Sequence, residues 1–383
     1  MFLHLIPPDR KFLDPIRSVF EAAAPGRHQF VVVGALAEGQ VLPVGVAHLR
    51  DPLGFPDVFS SESDWEGVVI HGLPFQIAGP IVHGIPETLA IAWYVWGFEA
   101  YDFWPRLSKH LLMPETRRVA NRLAGPPWKR WVSRHPWLVR RREQEIRRVA
   151  SRYDYCVAPF REEHELFVAS GLLGSTRFHW GSYGSLEDYV DVDEGISAGE
   201  DFQLGNSASL TNNHLDALPL LCGSHHGSRK VVIPLTYGSG PYRDAVIAAA
   251  RECLGSRFLP LVDFVTPDEY ARLLQSCGHV VMNHRRQQAV GNILASLWRG
   301  ACVYMNDTTV YQALRRQGFD VKLVEETLGR GQSAALQPCP HEQASRHRDL
   351  LREHLNREKV LAETADLLER LSTKRRPGGR IPA

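Results

Sequence analysis

Short runs rich in Val and Ile recur along this chain at intervals wide enough to hold a helix, and no other feature limits the fold as strongly. "FLHLI" opens the sequence, and "FVVVGAL" (30–36), "WEGVVIHG" (65–72) and "LAIAWYVWG" (89–97) follow. The second half repeats the pattern with "EDFQLGNSA" (200–208), "RKVVIPLTY" (229–237), "GHVVMN" (278–283) and "ACVYMN" (301–306). Continuous apolar runs belong to strands buried on both faces, and strands separated by helices pair in parallel. Helical stretches such as "PYRDAVIAAARECL" and "PDEYARLLQSCG" fill the gaps, the latter opening with Pro267 where a missing N–H costs nothing. The pattern predicts an α/β protein with doubly wound sheets. At 383 residues the chain exceeds one ordinary core, so two such domains are expected. They are placed at residues 1–195 and 196–340, with the Gly/Ser/Asp-rich "HWGSYGSLEDYVDVDEGISAGED" as linker. Amphipathic helices (341–372) and a disordered tail (373–383) complete the expectation. Two such domains would face one another across a cleft at the carboxyl ends of their strands, where ligands of these sheets bind.

Composition sets the class. With 44% hydrophobic and 23% charged residues, the chain reads as a soluble globular protein. No window approaches about 18 uninterrupted apolar residues, the length that spans a bilayer. The N-terminus lacks a basic start before a long apolar core and so reads as no signal peptide. Six scattered cysteines with no CxxC pair predict buried thiols in a reducing cytoplasm, with neither a disulfide frame nor a zinc site. The net charge of +1 conceals an asymmetry: Arg106–Arg152 holds fourteen Lys/Arg against three Glu. The remainder is therefore acidic.

Two strand-to-helix junctions in the second half have anion-binding chemistry. In "NHRRQQAVGNILASLWRGACVYMND" (283–307), polar residues and Gly291 stand where unpaired N–H groups and a helix dipole attract negative charge. Arg286 can make bidentate phosphate contacts, and Gln287 and Gln288 can orient sugar hydroxyls or phosphate oxygens. In "LGNSASLTNNHLDAL", Gly205 permits close approach, and Asn206, Ser207 and Thr211 offer small polar groups, while Asn212 or Asn213 suits an N-cap. Neither GxGxxG nor GxxxxGK[ST] is present, and no GxSxG elbow suggests a catalytic serine. Asp191–Asp193 spells DxD, but in the linker with no strand leading into it. His225 and His226 are adjacent in a polar turn, and neighbouring side chains there are expected to point apart. No metal site and no cofactor are expected.

The ordered series "FLHLIPPD…FVVVG", "VVIHG", "WYVWGFEAYDFW", "LGNSASLTNNHLDAL", "VVIPLTYG", "DEYARLLQSCG" and "RRQQAVGNILASLWRGACVYMN" resembles the bacterial TDP-N-acetylfucosamine:lipid II N-acetylfucosaminyltransferases, glycosyltransferase family 56. The resemblance runs from about residue 2 to 320. It implies a GT-B fold of two Rossmann-like domains, a nucleotide-sugar donor held by the C-terminal domain, and a polyprenyl-diphosphate-linked acceptor. It also implies donor-binding roles for Gly205, Asn206, Ser207, Asn212, His214, Tyr237, Arg286, Gln287, Gln288, Gly291 and Asn292. The chain departs from the family where Ser209 and Leu210 replace an Asp-Arg pair and Ala289 replaces a glycine.

In the first half, Trp96, Gly97, Glu99 and Tyr101 match a family pattern, as do His71 and Gly72. Glu99 and His71 each follow a strand, and glycosyl transfer to a hydroxyl gains from a base that takes the proton. Glu99 is expected as that base, desolvated beside Trp96 and Tyr101, with His71 positioning substrate. The basic segment 105–152 interleaves tryptophans with cations, and Trp128, Lys129, Arg130, Trp131, Arg140, Arg141 and Arg142 are expected to face an anionic membrane. The combined expectation is a peripheral glycosyltransferase on the cytoplasmic face of the bacterial inner membrane, with no nucleic-acid partner. It would move an N-acetylfucosamine-like deoxyaminosugar to a lipid-linked saccharide in surface polysaccharide synthesis. The alternative is a non-catalytic nucleotide- or saccharide-binding protein of the same architecture.

Overall fold

A computed structural model describes residues 1–55, 64–125, 135–196, 199–222, 227–263, 266–329 and 336–373. The chain folds as two compact units. The first comprises Met1–Ser108, Arg134–Asp188 and Leu355–Ala383; the second comprises Lys109–Ser133 and Tyr189–His354.

The first unit is built on seven parallel strands, β1 (Phe2–Ile6), β2 (His28–Val33), β3 (Val46–Leu49), β4 (Gly67–His71), β5 (Ile91–Tyr94), β6 (Tyr155–Ala158) and β7 (Arg177–Trp180). Their order is β3-β2-β1-β4-β5-β6-β7. Every residue of β1 and β4 is buried, which is why both read as largely apolar runs, broken only by His4 and His71. One face of the sheet packs Phe2, Phe30, Val69 and Tyr94 against Phe20 of helix Arg10–Ala23 and Leu367 and Leu371 of helix Arg357–Ser372.

The second unit repeats the plan with β8 (Asp201–Leu204), β9 (Val231–Pro234), β10 (Phe258–Leu261), β11 (Cys277–Met282), β12 (Cys302–Met305) and β13 (Lys322–Leu323), ordered β10-β9-β8-β11-β12-β13 and parallel throughout. In both sheets the order reverses beside the first strand, at β1/β4 and β8/β11. Loops leaving such neighbours diverge and open a crevice at the carboxyl ends.

The unit boundaries differ from the expected division in two places, for reasons that lie in tertiary contacts. Helix Pro114–Leu123 comes from the basic segment but packs in the second unit, against helices His214–Leu221 and Gly240–Leu254. Its N-cap residue, Met113, has no capping side chain, and Asp216 supplies the acceptor instead. The Asp216 carboxylate receives the Glu115 and Thr116 N–H groups at 2.8 and 3.0 Å, and Asn213 Oδ1 receives that of Met113 at 2.9 Å. The closing helix Arg357–Ser372 returns to cover the first sheet. The expectation of six free thiols also fails. Cys222 and Cys253 close a disulfide, their Cα atoms 5.4 Å apart, because they stand at the ends of two packed helices. Cys156, Cys277, Cys302 and Cys339 are free.

Candidate active site

In the second unit, the loops after β8 and β11 flank the β8/β11 reversal and are bonded to each other. The centre of that bonding is Asn212, which is fully buried. Its Oδ1 accepts the Asn206 N–H at 3.0 Å and lies 2.8 Å from His284 Nε2, while its Nδ2 donates to Ser207 O at 3.0 Å. Asn212 is therefore a cross-link between loops, not a helix cap. Asn213 occupies the cap position in a left-handed conformation (φ 49°), but its side chain is spent on Leu111 O and Asn283 O. Gly205 is required by this packing: a Cβ there would stand 2.6 Å from His214 Nε2 and 2.7 Å from Asn212 Oδ1.

Gln288 makes the second link. Its Oε1 accepts the Thr211 hydroxyl at 2.7 Å and Arg286 Nε at 3.2 Å, and its Nε2 donates to Asn206 Oδ1 at 3.3 Å. The half-buried Arg286 is thus oriented at the start of helix Val290–Arg299, whose N-terminus carries no side-chain cap. The neighbouring imidazoles add no charge. Burial lowers the pKa of His214 to about 3, and burial together with the Arg286 cation lowers that of His284 to about 3. Arg286 and the helix N–H groups therefore set a positive potential there. The Gln287 side chain is buried, and its Oε1 has no partner among the described residues.

The remaining expected donor residues are placed less centrally. Ser207 is buried and donates to Ser209 Oγ at 3.1 Å. Gly291 and Asn292 lie in the first turn of helix Val290–Arg299. At Gly291 the close approach is made by the Tyr189 ring, 3.0 Å from where a Cβ would be. Tyr237 is exposed and joins the loop through its carbonyl, which accepts the Ala208 N–H at 2.8 Å.

At the carboxyl edge of the first sheet, His71 ends β4. The Trp96 ring lies over Gly72, where a Cβ would meet it at 2.3 Å, and Trp96 Nε1 donates to Tyr183 OH at 2.7 Å. His71 Nδ1 is 3.1 Å from that hydroxyl and His71 Nε2 is 3.0 Å from His4 Nδ1; His4 Nε2 is 2.9 Å from His28 Nδ1. Burial lowers the His71 pKa to about 3. Glu99 is fully buried and accepts the Trp96 N–H at 2.8 Å, while the Tyr101 hydroxyl turns away to Glu163. The sequence reading did not single out His4, His28 or Tyr183. Period-two alternation puts His4 on the face of Phe2 and Ile6, but only the strand order puts His28 and His71 beside it.

Asp191 and Asp193 form a local turn, the Asp193 N–H donating to Asp191 Oδ1 at 3.0 Å. His225 and His226 lie outside the described residues, as do Trp128, Lys129, Arg130 and Trp131. Arg140, Arg141 and Arg142 are exposed on helix Pro136–Ala150, and Trp137 on the same helix is 60% exposed. Its buried side is formed by Ile146, Val149 and Ala150.

Ala289 has φ 56°, the left-handed conformation that a glycine enters freely and an L side chain at a cost of about 1–2 kcal/mol. The glycine's greater freedom in the unfolded chain offsets part of that cost. Ala289→Gly is therefore expected to stabilise the protein by about 0.5–1 kcal/mol, read as a higher midpoint in urea. A lower midpoint would show that the Ala289 methyl packs favourably.

Similarity to known proteins follows the same lines. Residues 192–337 match the family model described as 4-alpha-L-fucosyltransferase glycosyl transferase group 56. Among solved structures, sucrose-phosphate synthase from Thermosynechococcus elongatus superposes with a TM-score of 0.63 at 10% identity, covering 97% of this chain and 99% of that one. Anabaena HepE in complex with UDP and glucose gives 0.61 at 12% identity, covering 96% and 99%. The alpha,alpha-trehalose 6-phosphate synthase of Burkholderia multivorans gives 0.58 at 9% identity, covering 97% and 98%. The chain has the GT-B fold and is a glycosyltransferase, and residues 192–337, in its second unit, are similar to the 4-alpha-L-fucosyltransferase group 56.

Proposed function

We propose that the protein transfers an N-acetylfucosamine-like deoxyaminosugar from a TDP-type nucleotide sugar to a polyprenyl-diphosphate-linked saccharide, in bacterial surface polysaccharide synthesis. The observation that carries this reading is the bonded pair of loops at β8/β11, which presents Arg286 and an uncapped helix N-terminus together. The 4-alpha-L-fucosyltransferase description of the matching family supports a 6-deoxyhexose donor, and the UDP held by the similar HepE supports a nucleotide sugar. As the bond from the anomeric carbon to the diphosphate breaks, negative charge grows on the leaving oxygens. A preorganised guanidinium and helix N–H groups stabilise that charge more than they stabilise the intact donor. Arg286→Ala is expected to cost about 2–4 kcal/mol of transition-state stabilisation without loss of fold. Transfer at near-normal rates in that variant would remove Arg286 from the reaction.

The acceptor hydroxyl loses a proton as the new bond forms. In this reading Tyr183, backed by His71, takes up that proton in place of the expected Glu99, which is fully buried and holds the Trp96 main-chain N–H. Glu99→Gln keeps an oxygen for that N–H, so kcat should fall less than about tenfold. A loss of about 10²-fold or more would make Glu99 the base.

We place the enzyme on the cytoplasmic face of the inner membrane, with a lipid-linked acceptor. No helix among the described residues is long and apolar enough to cross a bilayer, so contact would be peripheral. The exposed Trp137 and Arg140–Arg142 supply an aromatic and cationic surface, each cation contributing about 1 kcal/mol near anionic lipid. The protein is expected to sediment with phosphatidylserine vesicles, to release in about 1 M salt as the Debye length shrinks to ~3 Å, and to ignore phosphatidylcholine vesicles. Replacement of all three arginines by Glu should weaken sedimentation. Undiminished sedimentation of that variant would move the contact elsewhere.

A further inference from the structure

We propose that Cys302 and Cys339 are a peroxide-sensitive thiol pair, which hydrogen peroxide oxidises to a disulfide that ties the segment entering helix His341–His354 to β12.

The strand register builds the setting. His279 of β11 stands opposite Cys302 of β12, and Tyr304, two residues further on, stands opposite Lys322 of β13. Side chains two apart on a strand share a face, so an imidazole, a thiol, a phenol and an ammonium group are gathered on one side of the sheet. His279 Nδ1 is 2.9 Å from the Tyr304 hydroxyl. The chain crosses this face again at residues 336–340. Leu336 and Cys339 pack against the cluster that contains Cys302 and Tyr304, and Cys302 Sγ is 3.7 Å from the Gln337 carbonyl oxygen. This brings the two cysteines together, with their thiols hydrogen-bonded to each other.

Access and freedom to move come from the same segment. Cys302 is 5% exposed, whereas Cys339 is only half-buried and forms the open side of the pair. Residues 336–340 belong to no helix or strand, so they can follow a forming S–S bond without breaking a ladder.

The surroundings divide the labour between the thiols. A thiolate, not a thiol, attacks a peroxide. The hydrogen bond from Cys339, a second from the His279 ring and the nearby Lys322 cation lower the Cys302 pKa, and the same hydrogen bond raises that of Cys339. The Cys302 sulfur attacks one peroxide oxygen. An S–O bond forms, the O–O bond breaks, and the other oxygen leaves as hydroxide, which takes up the proton Cys302 had released. The Cys339 sulfur then attacks the sulfenic sulfur of Cys302. The S–S bond forms, the S–O bond breaks, and water leaves with the Cys339 proton. Two thiols and one hydrogen peroxide give one disulfide and two waters; both sulfurs are oxidised and the peroxide oxygens are reduced.

The remaining cysteines serve as internal controls. Cys156 and Cys277 are buried, and burial raises both their pKa values, that of Cys277 to about 12. Thiols of that kind are inert. Cys222 and Cys253 are already joined to each other.

The test requires no sugar donor. Full-length protein is treated with hydrogen peroxide, unfolded in an alkylating agent and mapped by mass spectrometry. A Cys302–Cys339 cross-linked peptide is expected, with Cys156 and Cys277 alkylated, and dithiothreitol should return Cys302 and Cys339 to the alkylated state. Cys339→Ser removes the second thiol, so dimedone should then trap the sulfenic acid on Cys302, at least about tenfold more than on Cys156 or Cys277. Cys302 and Cys339 still alkylated at a peroxide dose that oxidises free cysteine, or cross-linked only to other cysteines, would overturn the pair. In a folded Cys339→Ser variant, dimedone on Cys302 no higher than on Cys156 would overturn the assignment of Cys302 as the attacking thiolate.

Discussion

The side chain of Asn212 sustains the candidate active site. It is fully buried, and it satisfies the Asn206 N–H, the Ser207 carbonyl and the His284 imidazole at once. Each partner orphaned by its removal would carry a desolvation cost of about 1–3 kcal/mol. Its geometry in turn dictates glycine at position 205. The two loops at the β8/β11 reversal are therefore one preorganised body, and ligand binding need not first order them. That matters for catalysis, because a charge stabiliser acts best when it does not reorganise during the reaction.

Charge is arranged around that body with economy. Two imidazoles beside Arg286 are held neutral by burial, so neither adds a cation that would repel the guanidinium or compete for an anion. In the first sheet, burial likewise keeps His71 uncharged, and that neutrality is what permits a hydrogen-bonded series of rings to exist without counter-ions. The same physical effect thus serves both units: it isolates a fixed charge in one and keeps a buried series of rings neutral in the other.

The sequence made the central strands legible because β1, β4, β5, β8, β9, β11 and β12 are buried almost throughout, and such strands read as apolar runs. Edge strands were not legible: β3 has exposed residues at its centre, β10 contains Pro260 and β13 has two residues. Arg286 and Gln288 stood out because a polar cluster interrupts a strand–helix handover. The linking role of Asn212 was hidden, since its partner His284 is 72 positions away. Helix Pro114–Leu123 was assigned to the first unit for the same reason, its caps being supplied by Asn213 and Asp216 about a hundred residues later. The Cys222–Cys253 pair could not be read from spacing, because it depends on how two helices pack.

The central claim is that the paired loops of the second unit hold the diphosphate of a nucleotide sugar. Hydrogen–deuterium exchange followed by mass spectrometry, with TDP-, UDP- and GDP-sugars compared one at a time, addresses it most directly, because bound ligand suppresses the openings through which amides exchange. The account predicts that the accepted donor protects 205–213 and 284–292 together, with TDP-sugars giving the largest effect. Protection confined to the first unit, or absent from both loops with every nucleotide tested, would contradict it.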